Sequence, residues 1–242
     1  MKPSPWPMLL AGAALLLTAT GAAADNGNAP ATMSFFSGGD GAQAHWLETA
    51  DQPPVDTDGQ AVALNTTNDA PAFTKGYAGI LFHHVTGIPA DAFPDSEFWV
   101  KSPAFAGASL GSPRLVVEFQ NAAGVYDGYA DLRPISLTSQ WQDVSDQKDY
   151  VNNGWDIMQK ACPFSPYQEQ WTVVQQCFAG DITLAVFLTT DPYGIDYLID
   201  DVTVNGKTFS SASDNGGGNN DPAGPDATTD TSLLPPLIFP PL

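Results

Sequence analysis

Apolar residues recur along this chain in short runs, many with every second position apolar, and turn-forming residues separate the runs. In an extended chain, alternate side chains fall on opposite faces, so each run reads as a half-buried strand. Strands are predicted over 33–36, 60–65, 77–86, 97–102 and 114–120. Asn121-Ala122-Ala123-Gly124 predicts a turn into 125–131, making 114–131 a hairpin. The second half continues with 135–144, 170–178 (alternating around Trp171 and Val173), 181–189 and 196–204. Trp46 sits in a short apolar patch, and Asn205-Gly206 ends the last strand. Between them, 145–166 predicts a long irregular connection, in which 155–160 offers a short helical stretch. Roughly ten strands at this spacing predict an all-β fold, an antiparallel β-sandwich of the jelly-roll kind.

Composition strengthens that reading. The chain has 22 Gly and 21 Pro, and nearly all its acid is Asp, a turn residue disfavoured inside helices. The ends look different from the middle. Lys2, an apolar run from Met8 to Leu17 and small residues at Ala22-Ala23-Ala24 form the three-part pattern of a signal peptide, 1–24. The run is too short for a membrane anchor, so no membrane insertion is expected. The sandwich is assigned to 25–210. The remainder, 211–242, is a Gly/Asn/Asp/Pro-rich tail with a Pro-broken apolar end, and it predicts disorder. Secretion, to a periplasmic or extracellular location, also makes a disulfide between Cys162 and Cys177 reasonable. That bridge staples the long connection, and a loop of this length gains about 3 kcal/mol in the chain-entropy model.

Charge narrows the partners. At −19, and about −20 once Lys2 is removed, the chain repels phosphate backbones, so nucleic acid is not a partner. Catalytic patterns are missing. His83 and His84 are neighbours on a predicted strand and face opposite sides; no His-Glu-x-x-His or Gly-x-Ser-x-Gly occurs. The four Glu (Glu48, Glu97, Glu118, Glu169) are scattered singly rather than paired as a glycosidase requires. The expectation is a protein that is not an enzyme.

The closing segments carry a family resemblance. Ser139-Gln140-Trp141-Gln142-Asp143-Val144, Gly180-Asp181-Ile182-Thr183-Leu184-Ala185-Val186 and Tyr197-Leu198-Ile199-Asp200-Asp201-Val202-Thr203-Val204 resemble galactose-binding-like jelly rolls. These include carbohydrate-binding modules attached to secreted glycosidases. The resemblance covers most of 33–205, and its sharp motif is the last strand. It implies a structural calcium ion with Asp200 as a ligand, for which Asp40 is the nearest second acid. The alternation puts Asp200 on the same face as Leu198, Val202 and Val204, where a carboxylate needs either a cation or backbone amides. Asp56-Thr57-Asp58-Gly59 begins like a calcium loop but lacks its closing Glu, and reads as a tight turn.

Sugar recognition uses flat aromatic faces beside amides and carboxylates. Tyr150, Asn153, Trp155 and Tyr167 offer these in loop context, with Tyr126, Asp127 and Tyr129 flanking them. The functional expectation is a secreted, non-catalytic module for an extracellular carbohydrate or glycoconjugate. The alternatives are a structural or adhesive protein acting on a surface protein, and an unrecognised polysaccharide-active enzyme.

Overall fold

The computed structural model describes residues 32–39, 41–56, 58–69, 75–103, 107–108, 112–134, 136–145, 153–163, 167 and 169–209. The signal-peptide and tail assignments, and the residues Asp40 and Tyr150, lie outside the described residues. Two antiparallel sheets stack face to face. The first holds β1 (Thr32–Gly38), β4 (Tyr77–His83), β7 (Arg114–Gln120), β8 (Tyr126–Pro134), β11 (Asn153–Met158) and β12 (Ile182–Thr189), in the order β1-β4-β12-β7-β8-β11. The second runs β10 (Gln142–Val144), β5 (Glu97–Lys101), β13 (Asp196–Val204), β3 (Gln60–Asn65) and β2 (Gln43–Glu48), with β14 (Lys207–Phe209) added to β13. A small pair joins β6 (Gly107–Ala108) to β9 (Ser136–Leu137). The fold is the expected antiparallel sandwich.

The alternation read in the sequence is what fills the space between the sheets. Leu115, Val117 and Phe119 of β7 point inward with Ala130 and Leu132 of β8, and meet Phe98, Val100, Ile199 and Val204 of the second sheet. Burying a side chain of this size is worth about 1.5–3 kcal/mol.

Three expectations are corrected. The 170–178 stretch is not a strand; Trp171–Cys177 forms helix α1. Trp171 and Val174 are three apart and Phe178 follows four later, so a helix collects all three on one buried face. In a run this short, period 2 and period 3.6 fit equally well, and packing decides. The 155–160 stretch is no helix: up to Met158 it belongs to strand β11, in which Trp155 and Ile157 face the core in alternation. Finally, 135–144 is divided between β9 and β10, in different sheets. The Cys162–Cys177 disulfide is present. It ties the chain after β11 to the end of α1, within the connection that leads to β12.

Candidate functional site

Helix α1 packs against the sandwich through a cluster of aromatic rings. The Trp155 and Trp171 centroids lie 4.5 Å apart, Phe93 is 5.7 Å from Trp171, and Phe119 is 4.1 Å from Phe178. Trp155 is fully buried, its Nε1 donates to Asp95 Oδ1 at 3.1 Å, and its backbone pairs with Glu169. It is a core residue, which corrects its placement as a loop aromatic: neither face of the indole is open to a ligand. Asp127 faces Lys160, which also bridges Asp181, and the Lys160 ammonium holds the Asp127 carboxyl below its usual range. Tyr167 is exposed and distant in sequence from the strands that carry the other tyrosines. Asn153 begins β11 opposite Pro134.

Tyr126 and Tyr129 are brought together, on the outer face of the first sheet, the one that holds β7 and β8. Simple alternation would separate two residues three apart. A register shift in the β7–β8 pairing, where Phe119 faces Gly128 but Gln120 faces Tyr126, restores them to one side. Gly128 has φ 117°, and a Cβ there would sit 2.7 Å from the Met158 carbonyl oxygen, so the bulge requires glycine.

That outer face carries its own apolar cluster, separate from the main core: Phe36, Val116 and Phe187, with Tyr77, Leu81, Tyr129 and Ala185 packed on it. The register extends it across strands. Phe187, Val116, Asp131 and Asp156 face one another in one row; Glu118, Tyr129 and Met158 form the next. Two carboxyls are nearly enclosed here. Glu118 and Asp131 are each 6% exposed, and Glu118 Oε2 and Asp131 Oδ1 accept no hydrogen bond. Burial pushes the Glu118 carboxyl up to about 7 and that of Asp131 up to about 6, the latter against the pull of Arg114 and Arg133. The same burial, with the Glu118 charge alongside, raises the Tyr126 hydroxyl, and Tyr129 is pushed up to about 12. Both guanidiniums are already engaged: Arg114 grips Asp191 with two bonds of 2.8 and 2.6 Å, and Arg133 pairs with Asp156 and, more loosely at 3.8 Å, with Asp131 Oδ1. None of Glu118, Asp131, Arg114 or Phe187 stands out in the sequence. On β7, Arg114, Val116, Glu118 and Gln120 read as an ordinary solvated face, and only cross-strand neighbours reveal the cluster.

The second sheet holds an acidic cluster on its own outer face. Tyr197 and Ile199 point into the core, so Asp200 points away from it, opposite Trp99. The pairing then shifts between Asp200 and Thr203, with Asp201 at φ 44°, and Val202 and Val204 return to the core. This bulge corrects the expectation that Asp200 shares a face with Val202. Asp200 is nevertheless 3% exposed. Its Oδ1 accepts from the Asp201 amide at 2.8 Å, and its Oδ2 has no hydrogen bond. Burial, then the neighbouring charges of Asp56, Asp201 and Asp58, pushes its carboxyl up to about 8. Asp56, Asp200 and Asp201 each offer an oxygen, all within 4.8 Å of one another. Around Gly59, Asp56 Oδ1 accepts from the Asp58 amide and Asp58 Oδ1 from that of Gln60, while Thr57 lies outside the described residues. What the sequence did not reveal is that Asp56 lies against Asp200.

No family model and no curated protein matches the sequence. Among solved structures, a family 30 carbohydrate-binding module is similar over 73% of this chain and 83% of its own, at 14% identity and TM-score 0.37. A second structure of a family 30 module is similar over 67% and 91%, at 16% identity and TM-score 0.32. An arabinose-bound GH51 α-L-arabinofuranosidase matches over 73% of this chain at 11% identity and TM-score 0.39. This chain spans about a quarter (24%) of that enzyme's length. Among the described residues no helix is long and apolar enough to cross a membrane.

Proposed function

We propose that this chain is a secreted, non-catalytic module that binds an extracellular carbohydrate on the outer face of its first sheet, across β7 and β8. The observation that carries the reading is the apposition of Tyr126 and Tyr129 with Glu118 and Asp131 on one face. Rings that cover the C–H surface of a sugar stand beside carboxyl oxygens that hydroxyls can satisfy. Tyr126 is 37% exposed and offers the point of entry. The residues first singled out on the 145–167 connection are not needed for it, and Trp155 is excluded by burial.

The test is a glycan-array screen of the full chain, followed by titration of any hit against Tyr126→Ala and Tyr129→Ala. Removing one stacking ring should weaken binding by about tenfold, the effect of roughly 1.4 kcal/mol. A blank array removes the carbohydrate reading for the glycans tested. Turnover of a bound glycan would return the chain to the enzyme alternative.

The calcium expectation fits this chain with a different partner for Asp200. Asp56 and Asp201 would share the ion with it, and three carboxylates with one buried, unsatisfied oxygen suit a hard cation. A cation there would neutralise the repulsion among the three acids and fasten Asp56 to β13.

A further inference from the structure

We infer that the ligand taken on the outer face of the first sheet carries protonated amines, as a glucosamine-type oligosaccharide does, with an ammonium group between Glu118 and Asp131. The inference rests on the carbohydrate reading above and names the class of sugar. The first support is a local excess of acid. Glu118, Asp131, Asp156 and Asp191 stand against Arg114 and Arg133, and both guanidiniums are committed, to Asp191 and to Asp156. His83, on the outer side of β4 in the same sheet, is disfavoured as a cation, because burial and the neighbouring His84 hold its imidazole below the usual range. Arg133 Nε also lies 3.8 Å from Asp131 Oδ1, so one guanidinium serves two acids, while Glu118 has no cation among the described residues; both Glu118 and Asp131 are more than nine-tenths buried, each with an oxygen that accepts no hydrogen bond.

Register makes that pair a cradle for one small cation. Glu118 faces Tyr129 and Val116 faces Asp131, so the two acids are diagonal neighbours on adjacent strands. Diagonal positions stand about 7–8 Å apart, a span that one ammonium with two carboxyl partners can bridge. The flanking rings of Tyr126 and Tyr129 add the attraction of an aromatic face for a cation. A neutral hydroxyl can also donate to these oxygens, but it leaves two buried carboxyls unable to ionise together. An ammonium relieves both, and a uronic acid would worsen the excess. The second support is independent of the site: at −19 the whole chain draws cationic polymers and repels anionic ones.

The experiment titrates the full chain by calorimetry with hexamers of glucosamine, of N-acetylglucosamine and of glucose, at about pH 6.5 and at low and raised salt. Each hexamer is also titrated into Glu118→Gln and Asp131→Asn, whose folding is checked by thermal unfolding. The expected result is glucosamine bound at least about tenfold tighter than the other two. The heat should depend on the buffer, because ionising Glu118 and Asp131 on binding releases protons. The glucosamine preference should shrink towards unity in both variants. Equal affinity for all three hexamers would overturn the inference and leave carbohydrate binding standing. A preference that survives both substitutions would assign it to net charge alone, which also overturns the inference. No binding by any hexamer removes the ground of both readings for these sugars.

Discussion

At the scale of single residues, Glu118 and Trp155 show how position on a strand decides the meaning of a side chain. Burial pushes the Glu118 carboxyl up to about 7 in the folded protein, from an ordinary value of 4.5. Between those values the native protein keeps a proton that the unfolded chain has released. Stability therefore falls as pH rises through that window, and stays lower above it. Glu118→Gln removes the titration, so at about pH 8 the variant should be more stable than the parent by on the order of 1–3 kcal/mol. Urea melts at pH 5 and 8 measure this; a parent with no Glu118-dependent loss between them would contradict it. A buried group that costs stability is common where a site is kept for binding. Trp155 is the reverse case. Its removal empties the space against Trp171 and leaves Asp95 without its indole donor. Trp155→Ala should cost about 3–5 kcal/mol in a denaturant melt, so any loss of ligand binding in that variant reports on folding. An unchanged melting midpoint would show that the indole is not part of the core.

At the scale of elements, two irregularities do what regular strands cannot. The bulge in β8 gathers Tyr126 and Tyr129 on one face, and the bulge in β13 turns Asp200 outward while keeping Val202 and Val204 in the core. Helix α1 is short, with seven residues and no side-chain cap, and helices of that length are unstable alone. Its stability comes from the rings it buries and from the disulfide at Cys177. With the cysteines 15 positions apart, replacing both by Ser should lower stability by about 3 kcal/mol in the chain-entropy model. Equilibrium unfolding of the double variant tests this, and the loss should appear as a lower midpoint with the cooperative transition retained.

At the scale of the whole molecule, the two outer faces divide the work: one sheet presents the rings and buried acids proposed for sugar, the other the three carboxylates proposed for calcium. If Asp56, Asp200 and Asp201 hold calcium, the ion binds only the folded protein, and millimolar calcium should raise the melting temperature. Chelator should reverse the rise, and Asp200→Asn should abolish the response. A parent indifferent to both would end the calcium proposal. By itself the sequence determined the class of fold, because alternation along 60–65, 77–86, 97–102 and 114–120 is a local property that survives reading one residue at a time. It also showed the acidity, and the two cysteines whose bridge the structure contains. It did not determine helix α1, because Trp171, Val174 and Phe178 suit either period until packing against the sandwich selects the helix. Nor did it reveal Glu118 beside Tyr129, or Asp56 beside Asp200. Those neighbours are 11 and 144 positions apart, and strand order and register bring them together. A lone carboxylate on an alternating strand looks solvated in sequence; only the fold reveals that water has been removed from it and that a partner is missing.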